Sequence, residues 1–293
     1  MLKIVAIVVT YNRIEMLQQC IAKLLQQSVP CDILVIDNAS TDDTANYMQQ
    51  IKNENILYYN TEENLGGAGG FNYGMRLAVE LGYEYLWIMD DDCLAETDAL
   101  KNLLAIDEKL QGNYGWLSSK CFWTDGTLCQ MNLQRKTPYQ DIKDFSQELI
   151  PAQMASFVSL FLKAETVKKY GLPIKEFFIW TDDWEYTRRI SREQSCYVVS
   201  DSHVVHAMKN PTVVNIATDT LERLPRYQYF YRNDVYLYRR EGLKGWIWLL
   251  AKDTWHSVQI ILHHQEVMKK LKIVWSSAWR GLSFKPEIEY CEK

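Results

Sequence analysis

Asp90, Asp91 and Asp92 stand together at the end of an apolar run, in WIMDDDC at residues 87–93. Carboxylates packed this closely repel one another, so something must neutralise them or they must point into water. Side chains at i and i+2 of an extended segment point the same way, so Asp90 and Asp92 would serve one site while Asp91 faces elsewhere. Hard oxygen ligands so placed suit Mg2+ or Mn2+, cations that also take phosphate oxygens from a substrate. The plain alternatives are a solvated acidic turn, or a helix cap in which Asp92 precedes LAETDALKNLL. A second acidic cluster, TDDWEY at 181–186, follows FFIW and opens a helical segment. Acids at a helix start usually serve the helix dipole, but the apolar approach implies a cleft where a carboxylate would act as a general base. Beyond it, SDSHVVHAMKN supplies His203 and His206. A lone histidine is ordinarily structural. Behind a second acidic cluster, His206 becomes a credible third metal ligand, because imidazole suits Mn2+ beside carboxylates.

ENLGGAGGFNYG, at 63–74, is neither the GxGxxG fingerprint nor a P-loop. Gly66, Gly67, Gly69 and Gly70 would let backbone approach a ligand closely and leave amides at a helix N-terminus. A flexible turn is the other reading.

These residues need elements to position them. Residues 3–9, KIVAIVV, form a β-branched run suited to a buried parallel strand, and 13–27 carry Ile14, Leu17, Ile21, Leu24 and Leu25 at helical spacing. DILVI at 32–36 is a second strand. Ser40 or Thr41 would cap a helix over 43–52. A third strand at 55–59, a helix at 71–81 and a fourth strand at 84–89 follow. Strand and helix alternate four times, which implies a doubly wound parallel sheet with right-handed crossovers. Ligands bind beyond the carboxyl ends of such strands. There lie Thr10-Tyr11-Asn12-Arg13, Asp37-Asn38, Asn64-Leu65-Gly66-Gly67 and Asp90-Asp91-Asp92, all on one edge. After residue 110 come strand-like pieces at 115–123, 155–162 and 196–200, with a loop at 138–144. From 221 the chain reads as helical and rich in tyrosine and tryptophan.

The 293 residues, 47% hydrophobic, suffice for one large α/β domain or two fused layers. A net charge of -5 gives no reason to expect nucleic acid as a partner. Seven cysteines without a CxxC pair point to a reduced cytosolic protein with neither disulfides nor a zinc site. The N-terminal apolar run is too short for a signal peptide, and no segment reaches about 18 apolar residues.

IVVTYNR, VIDNASTD, NLGGAGGFNYG, WIMDDD and WTDDWEY, in this order, resemble the family 2 glycosyltransferases of the GT-A fold over roughly residues 3–210. NLGGAGGF, MDDD and FFIWTDDWEY with VVHAM are similar to bacterial galactofuranosyltransferases. YFYRND (229–234) and SAWRGLSFKP are similar to segments of those enzymes and of related rhamnosyltransferases. The resemblance implies an α/β fold, a GT-A Rossmann-like and mostly parallel sheet flanked by helices, with a C-terminal helical region. Residues 1–220 would be the transferase domain, 1–110 its nucleotide-binding half and 111–220 its acceptor half, with 221–293 helical.

The resemblance also implies roles. Thr10, Asn12 and Arg13 would line the nucleotide pocket, and Asp37 would contact the base. Asn64, Gly66 and Gly67 would approach the donor. Asp90 and Asp92 look like the DxD pair, Asp92 most directly on the metal, Asp90 near ribose or metal, and Asp91 beside the nucleotide. His206 would complete a site for Mn2+ or Mg2+. Asp183 would be the catalytic base, with Asp182 and Glu185 either taking that role or binding acceptor hydroxyls, and Trp180 stacking on a sugar. The expected activity is inverting transfer of galactofuranose from UDP-galactofuranose to a hydroxyl of a bacterial surface glycan or lipid-linked glycan, such as O-antigen. A dTDP-rhamnose-dependent transferase and a non-catalytic sugar-nucleotide-binding scaffold are the alternatives. Both acidic clusters and His206 argue against the scaffold, and no Ser/His or Cys/His arrangement suggests a covalent route. Trp246, Trp248, Trp255, Trp275 and Trp279 accompany Lys244, Lys252, Lys269, Lys270 and Lys272. Such helices would lie on an anionic membrane, cover the catalytic domain, or bury a homo-oligomer interface. The expected location is cytoplasmic, peripheral on the inner face of the plasma membrane.

Overall fold

The computed structural model describes residues 2–208 and 215–291. Its first half runs β1 (Ile4–Thr10), α1 (Ile14–Leu25), β2 (Asp32–Asp37), α2 (Thr44–Gln50), β3 (Ile56–Asn60), α3 (Gly66–Glu80), β4 (Tyr85–Asp90), β5 (Cys93–Ala95) and α4 (Ala99–Lys109). Next come β6 (Leu117–Phe122), a hairpin of β7 (Arg135–Thr137) and β8 (Gln140–Asp141), then β9 (Leu149–Pro151), β10 (Leu160–Lys163), α5 (Ala164–Tyr170), α6 (Asp182–Ser191) and β11 (Tyr197–His206). Helices α7 (Tyr227–Tyr238), α8 (Gly242–His263) and α9 (Val267–Ser283) follow.

Strand β1 is buried along its whole length, and its side chains alternate between two cores. Val5, Ile7 and Val9 meet Phe71, Met75 and Ala78 of α3 on one face. Ile4, Ala6 and Val8 meet Leu17, Ile21 and Leu24 of α1 on the other. A sheet covered on both faces in this way is the α/β layering that the β-branched strands require.

The strand order is β3-β2-β1-β4-β10-β6-β11-β5, with β9 also paired to β11. Strands β3, β2, β1 and β4 are parallel, and so are β6 and β11. Strand β10 runs antiparallel to both β4 and β6. The sheet is thus mostly parallel rather than parallel throughout. The stretch leading to β10 carries short strands and turns in place of a crossover helix, and only a long crossover returns a chain in the same direction. The segment 138–144, read from sequence as a loop, includes β8 of the small hairpin.

Two local expectations are corrected. Helix α2 begins at Thr44, and neither Ser40 nor Thr41 caps it. Those hydroxyls are recruited elsewhere: Ser40 Oγ accepts from Asn12 N at 2.9 Å, and Thr41 Oγ1 donates to Asn12 Oδ1 at 3.3 Å beside the Thr41 N bond to the same oxygen at 2.7 Å. Helix α3 begins at Gly66, not near 71, so the glycine-rich stretch is its first turn. There the glycines allow close packing. A Cβ on Gly70 would stand 2.5 Å from Val9 Cγ1, and one on Gly74 2.7 Å from Ile7 Cγ2. Gly66 has φ +71°, and a Cβ there would stand 2.2 Å from the Phe178 carbonyl oxygen. A Cβ on Gly67 would meet nothing within 4 Å. Gly66→Ala is therefore expected to destabilise the protein by about 1 kcal/mol or more, whereas Gly67→Ala leaves the thermal midpoint unchanged. Melting curves of the two variants compare them directly; equal midpoints would contradict the close approach.

Candidate active site

The register of β1, β2, β3 and β4 brings Thr10 beside Asp37, Asp37 beside Asn60, and Val9 beside Asp90. The polar strand ends therefore line one edge of the sheet. Beyond β4 the three aspartates diverge. Asp91 turns back and accepts from Thr10 Oγ1 at 2.7 Å and from Arg13 Nη1 at 3.2 Å. Arg13 Nη1 also donates to Asp92 Oδ2 at 2.6 Å. His206, the last residue of β11, brings Nε2 to 3.1 Å from Asp92 Oδ1. One ligand atom each from Asp90, Asp92 and His206 lies within 4.8 Å of the others. Asp92 does not cap a helix, because Cys93–Ala95 continues as β5 and pairs with β11. That pairing, with Cys93 opposite His206, carries the histidine to the acidic turn.

The electrostatics follow from burial and these partners. Burial, with Asp92 alongside, raises Asp90 above the usual carboxylate range, against the pull of His206. Burial pushes Asp91 up to about 6, with Arg13 opposing. Burial acts on Asp92 too, but the approach of His206 and Arg13 outweighs it and holds its carboxyl low. His206 is raised: burial opposes this, and the contact with Asp92 dominates. The crowded carboxylates are thus neutralised by one guanidinium and one imidazole.

These side chains fit a divalent cation. Asp92 Oδ1 is buried and has no hydrogen-bond donor in line with it among the described residues. The Nδ1 of His206 lies 2.7 Å from Asn132 Oδ1, an acceptor, so Nδ1 keeps its proton and Nε2 is the nitrogen that would lose its own on taking a cation. Asn132 is itself held by Ser156, to which its Nδ2 donates at 2.9 Å, and Trp123 stacks on the His206 ring at 5.8 Å. Neither Asn132 nor Trp123 carried a signal in the sequence, since no local pattern ties either to a histidine more than 70 positions away. His203 is apart from the cluster, against Glu96 at 3.3 Å. Lys209 and Asn210 of the HAMKN stretch lie outside the described residues.

The other singled-out residues fall into three groups. Asn12 and Asp37 are tied to the loop after β2. Asn12 Oδ1 accepts from Thr41 N, and Asp37, fully buried, accepts from Ser40 N at 2.8 Å and from the Tyr58 hydroxyl at 2.6 Å. Asn64 is exposed, and its Oδ1 accepts from Gly66 N at 2.9 Å, closing the turn into α3. Around α6, Asp182 is buried, and burial raises it to about 6. Asp183 is raised well above the usual carboxylate range, by burial and then by Asp182. Trp180 is part-exposed and leans on Tyr227 at 5.1 Å. Glu185 points inward, and both of its oxygens are taken by Arg189, at 3.2 and 2.7 Å. With 3% of its surface exposed, Glu185 is turned away from solvent and from an acceptor hydroxyl.

Comparison with known proteins agrees with this geometry. Residues 5–125 match the model of glycosyl transferase family 2. The chain is 26% identical over 276 residues to galactofuranosyltransferase GlfT1 of Mycolicibacterium smegmatis, covering 84% of this chain and 90% of that protein. GlfT1 of Mycobacterium tuberculosis is 27% identical over 273 residues, covering 84% and 89%. Among solved structures, mannosyltransferase PcManGT from Pyrobaculum calidifontis, in complex with GDP-Man and Mn2+, superposes with a TM-score of 0.60 at 17% identity, covering 97% of this chain and 76% of that one. S. aureus TarS 1–349 in complex with UDP gives 0.57 at 17% identity, covering 97% and 73%. Residues 5–125 thus carry the family 2 glycosyltransferase pattern on a GT-A fold, and the chain over most of its length is similar to bacterial galactofuranosyltransferases.

Proposed function

We propose that the chain transfers galactofuranose from UDP-galactofuranose to a hydroxyl of a bacterial surface glycan, with inversion at the anomeric carbon. The observation that carries this reading is the convergence of Asp90, Asp92 and His206 on one point. The similarity to galactofuranosyltransferases over most of both chains supports the donor. Residues 1–110 would hold the nucleotide, 111–220 the acceptor, and 221–293 would complete the cleft. Thr10, Asn12, Arg13, Asp37 and Asp91 would shape the nucleotide pocket, with Asp37 exchanging Tyr58 or Asn60 for the base. Asn64 and Gly66 would set the turn, and Gly67, open above its Cα, would lie against the donor.

Asp90, Asp92 and His206 would hold Mn2+ or Mg2+. Such an ion, when bound, supplies the positive charge that stabilises a diphosphate leaving group. Asp183 accepts the proton of the acceptor hydroxyl as its oxygen bonds to the anomeric carbon, while the bond from that carbon to the diphosphate oxygen breaks and UDP departs. Burial and Asp182 raise the basicity of Asp183, which suits it to this proton. Trp180 offers a flat apolar face for a sugar ring, and Asp182 lines the same side.

Helices α8 and α9 carry an apolar outer face. Leu243, Ile247, Leu250, Val258 and Ile261 are exposed along α8, and Met268, Trp275, Trp279 and Leu282 along α9. Trp275 Nε1 donates to Ser257 Oγ at 3.2 Å, which joins the two stripes. Trp279 is 75% exposed, far more than a core-facing tryptophan. A cavity of about 290 Å3 at the base of α7, rimmed by Lys269, Lys272 and Arg280, borders this face. Among the described residues no helix is long and apolar enough to cross a membrane. The face instead fits the surface of an anionic bilayer, tryptophans at the interface and cations on phosphates, which would bring a lipid-linked acceptor to the site.

Three experiments test this reading. Calorimetry should give UDP binding that requires Mn2+ and is lost in Asp92→Ala or His206→Ala; preferential binding of dTDP would favour rhamnose as the donor sugar. Asp183→Asn should retain UDP binding and lose about 100- to 10,000-fold in turnover, so near-normal turnover places the base elsewhere. In flotation, the protein should rise with phosphatidylglycerol vesicles, and the Trp255→Ser/Trp279→Ser double variant should not. Wild-type protein that stays in the unbound fraction would remove the membrane from the reading.

A further inference from the structure

The acidic pair Asp182–Asp183 is delivered by a backbone that does not hold its shape by itself. Phe178 has φ 63° and ψ -57°, and Ile179 N donates to Phe177 O at 2.7 Å across it, a three-residue turn of the rare strained hand. Trp180 and Thr181 follow with φ 64° and 69°. Three non-glycine residues in four positions thus occupy the left-handed region that L side chains rarely adopt. Such a segment persists only where its surroundings over-determine it.

The surroundings are two side chains at the centre of YFYRND on α7. Asn233, fully buried, donates Nδ2 to Phe177 O at 3.0 Å, to Trp180 O at 2.9 Å and, more weakly, to Ile179 O at 3.3 Å. Its Oδ1 is held by Arg232, at 3.0 and 2.9 Å. Asp234 Oδ1 accepts from Thr181 Oγ1 at 2.7 Å, and Asp234 Oδ2 takes the Lys252 ammonium of α8 at 2.5 Å. On its other side the turn rests on the start of α3, where Ala68 N donates to Phe178 O at 3.2 Å. Residues 177–181 lie two to six positions before Asp183, and Asn233, Asp234 and Ala68 bond to them directly, while Arg232 and Lys252 brace Asn233 and Asp234 from behind. Among the described residues none of these groups hydrogen-bonds to Asp90 or to Asp92, and the partners of Asp92 are Arg13 and His206.

We propose that Asn233 and Asp234 are positioning residues: they clamp residues 177–181 in the left-handed conformation that presents Asp183 to the acceptor. The C-terminal helices are then part of the active site, because α7 supplies the clamp and α8 the lysine that charges it. The inference rests on the assignment of Asp183 as base, and the clamp itself is tested independently of it. Released from Asn233 and Asp234, Phe178, Trp180 and Thr181 relax toward negative φ and swing the first turn of α6. A misplacement of about 1 Å at a reacting group costs on the order of 100-fold in rate.

The test uses Asn233→Ala, Thr181→Val and Thr181→Ser in the full chain. Hydrogen exchange of residues 177–186 reads the clamp, and nucleotide release from the sugar nucleotide the wild type turns over reads its consequence. The first two variants should exchange faster over 177–186 with residues 85–95 unchanged, and kcat should fall 10- to 100-fold while the KM for donor and the affinity for UDP stay within about twofold. Thr181→Ser keeps the hydroxyl and should retain wild-type exchange and kcat. Unchanged exchange and kcat in Asn233→Ala and Thr181→Val overturn the clamp. So does a parallel loss of kcat, UDP affinity and thermal midpoint, which is what a merely structural contact gives. If Asp183→Asn is active while Asn233→Ala and Thr181→Val are slow, the base assignment fails and the clamp stands. If Asp183→Asn is inactive and they are normal, the clamp alone fails.

Discussion

Like charges forced together are the constraint around which this molecule is arranged. Asp90, Asp91 and Asp92 crowd the end of one strand, and Asp182 and Asp183 crowd the start of α6. Carboxylates at such spacing, largely out of water, would ionise together only at great cost. Two cationic groups make the arrangement tenable: Arg13, entering α1, and His206, at the end of β11. Their approach also ranks the acids. Asp92, which touches both, is held low, while Asp90 and Asp91 are raised. One cluster thus contains groups of different basicity although their side chains are identical.

Placing those partners occupies much of the fold. The parallel half of the sheet aligns the carboxyl ends of β1, β2, β3 and β4, and so fixes Thr10, Arg13 and the aspartates. The antiparallel pairing of β5 with β11 is what carries His206 to the same point. Asn132 then orients the imidazole from a stretch between strands. The second acidic wall depends on three separate segments: the glycine-rich start of α3, the strained turn 177–181 and helix α7. Gly66 and Ala68 receive the Phe178 carbonyl, and Asn233 and Asp234 hold the turn from behind. Glycine at 66 is therefore as much a matter of admitting a neighbouring backbone as of admitting a ligand, a use that a ligand-centred reading of NLGGAGG does not contain.

Particular residues mark how far the sequence was legible. The two acidic clusters and His206 stood out because their types are chemically unusual in apolar settings, and the structure brings Asp90, Asp92 and His206 within reach of one ion. Glu185 stood out equally and is turned to Arg189, four residues on along the same helix. Residue type cannot distinguish a carboxylate that faces a cleft from one that faces an arginine. Ser40 and Thr41 had the right chemistry to cap α2 but are used by Asn12 instead. The competition was between two good local partners, and a contact from another strand end decided it.

By itself, the sequence determined the buried strands, the helical faces and the row of polar residues at the carboxyl ends of the first four strands. These depend on periods of two and 3.6 residues and on turn chemistry, which act over a few positions. Only the tertiary structure decided the direction of β10, the meeting of His206 with Asp92 through β5 and β11, the second contact of that histidine with Asn132, and the grip of α7 on residues 177–181. Each joins segments far apart in the chain. Their energies come from burial and from hydrogen bonds that exist only once the layers have packed, so no local pattern records them.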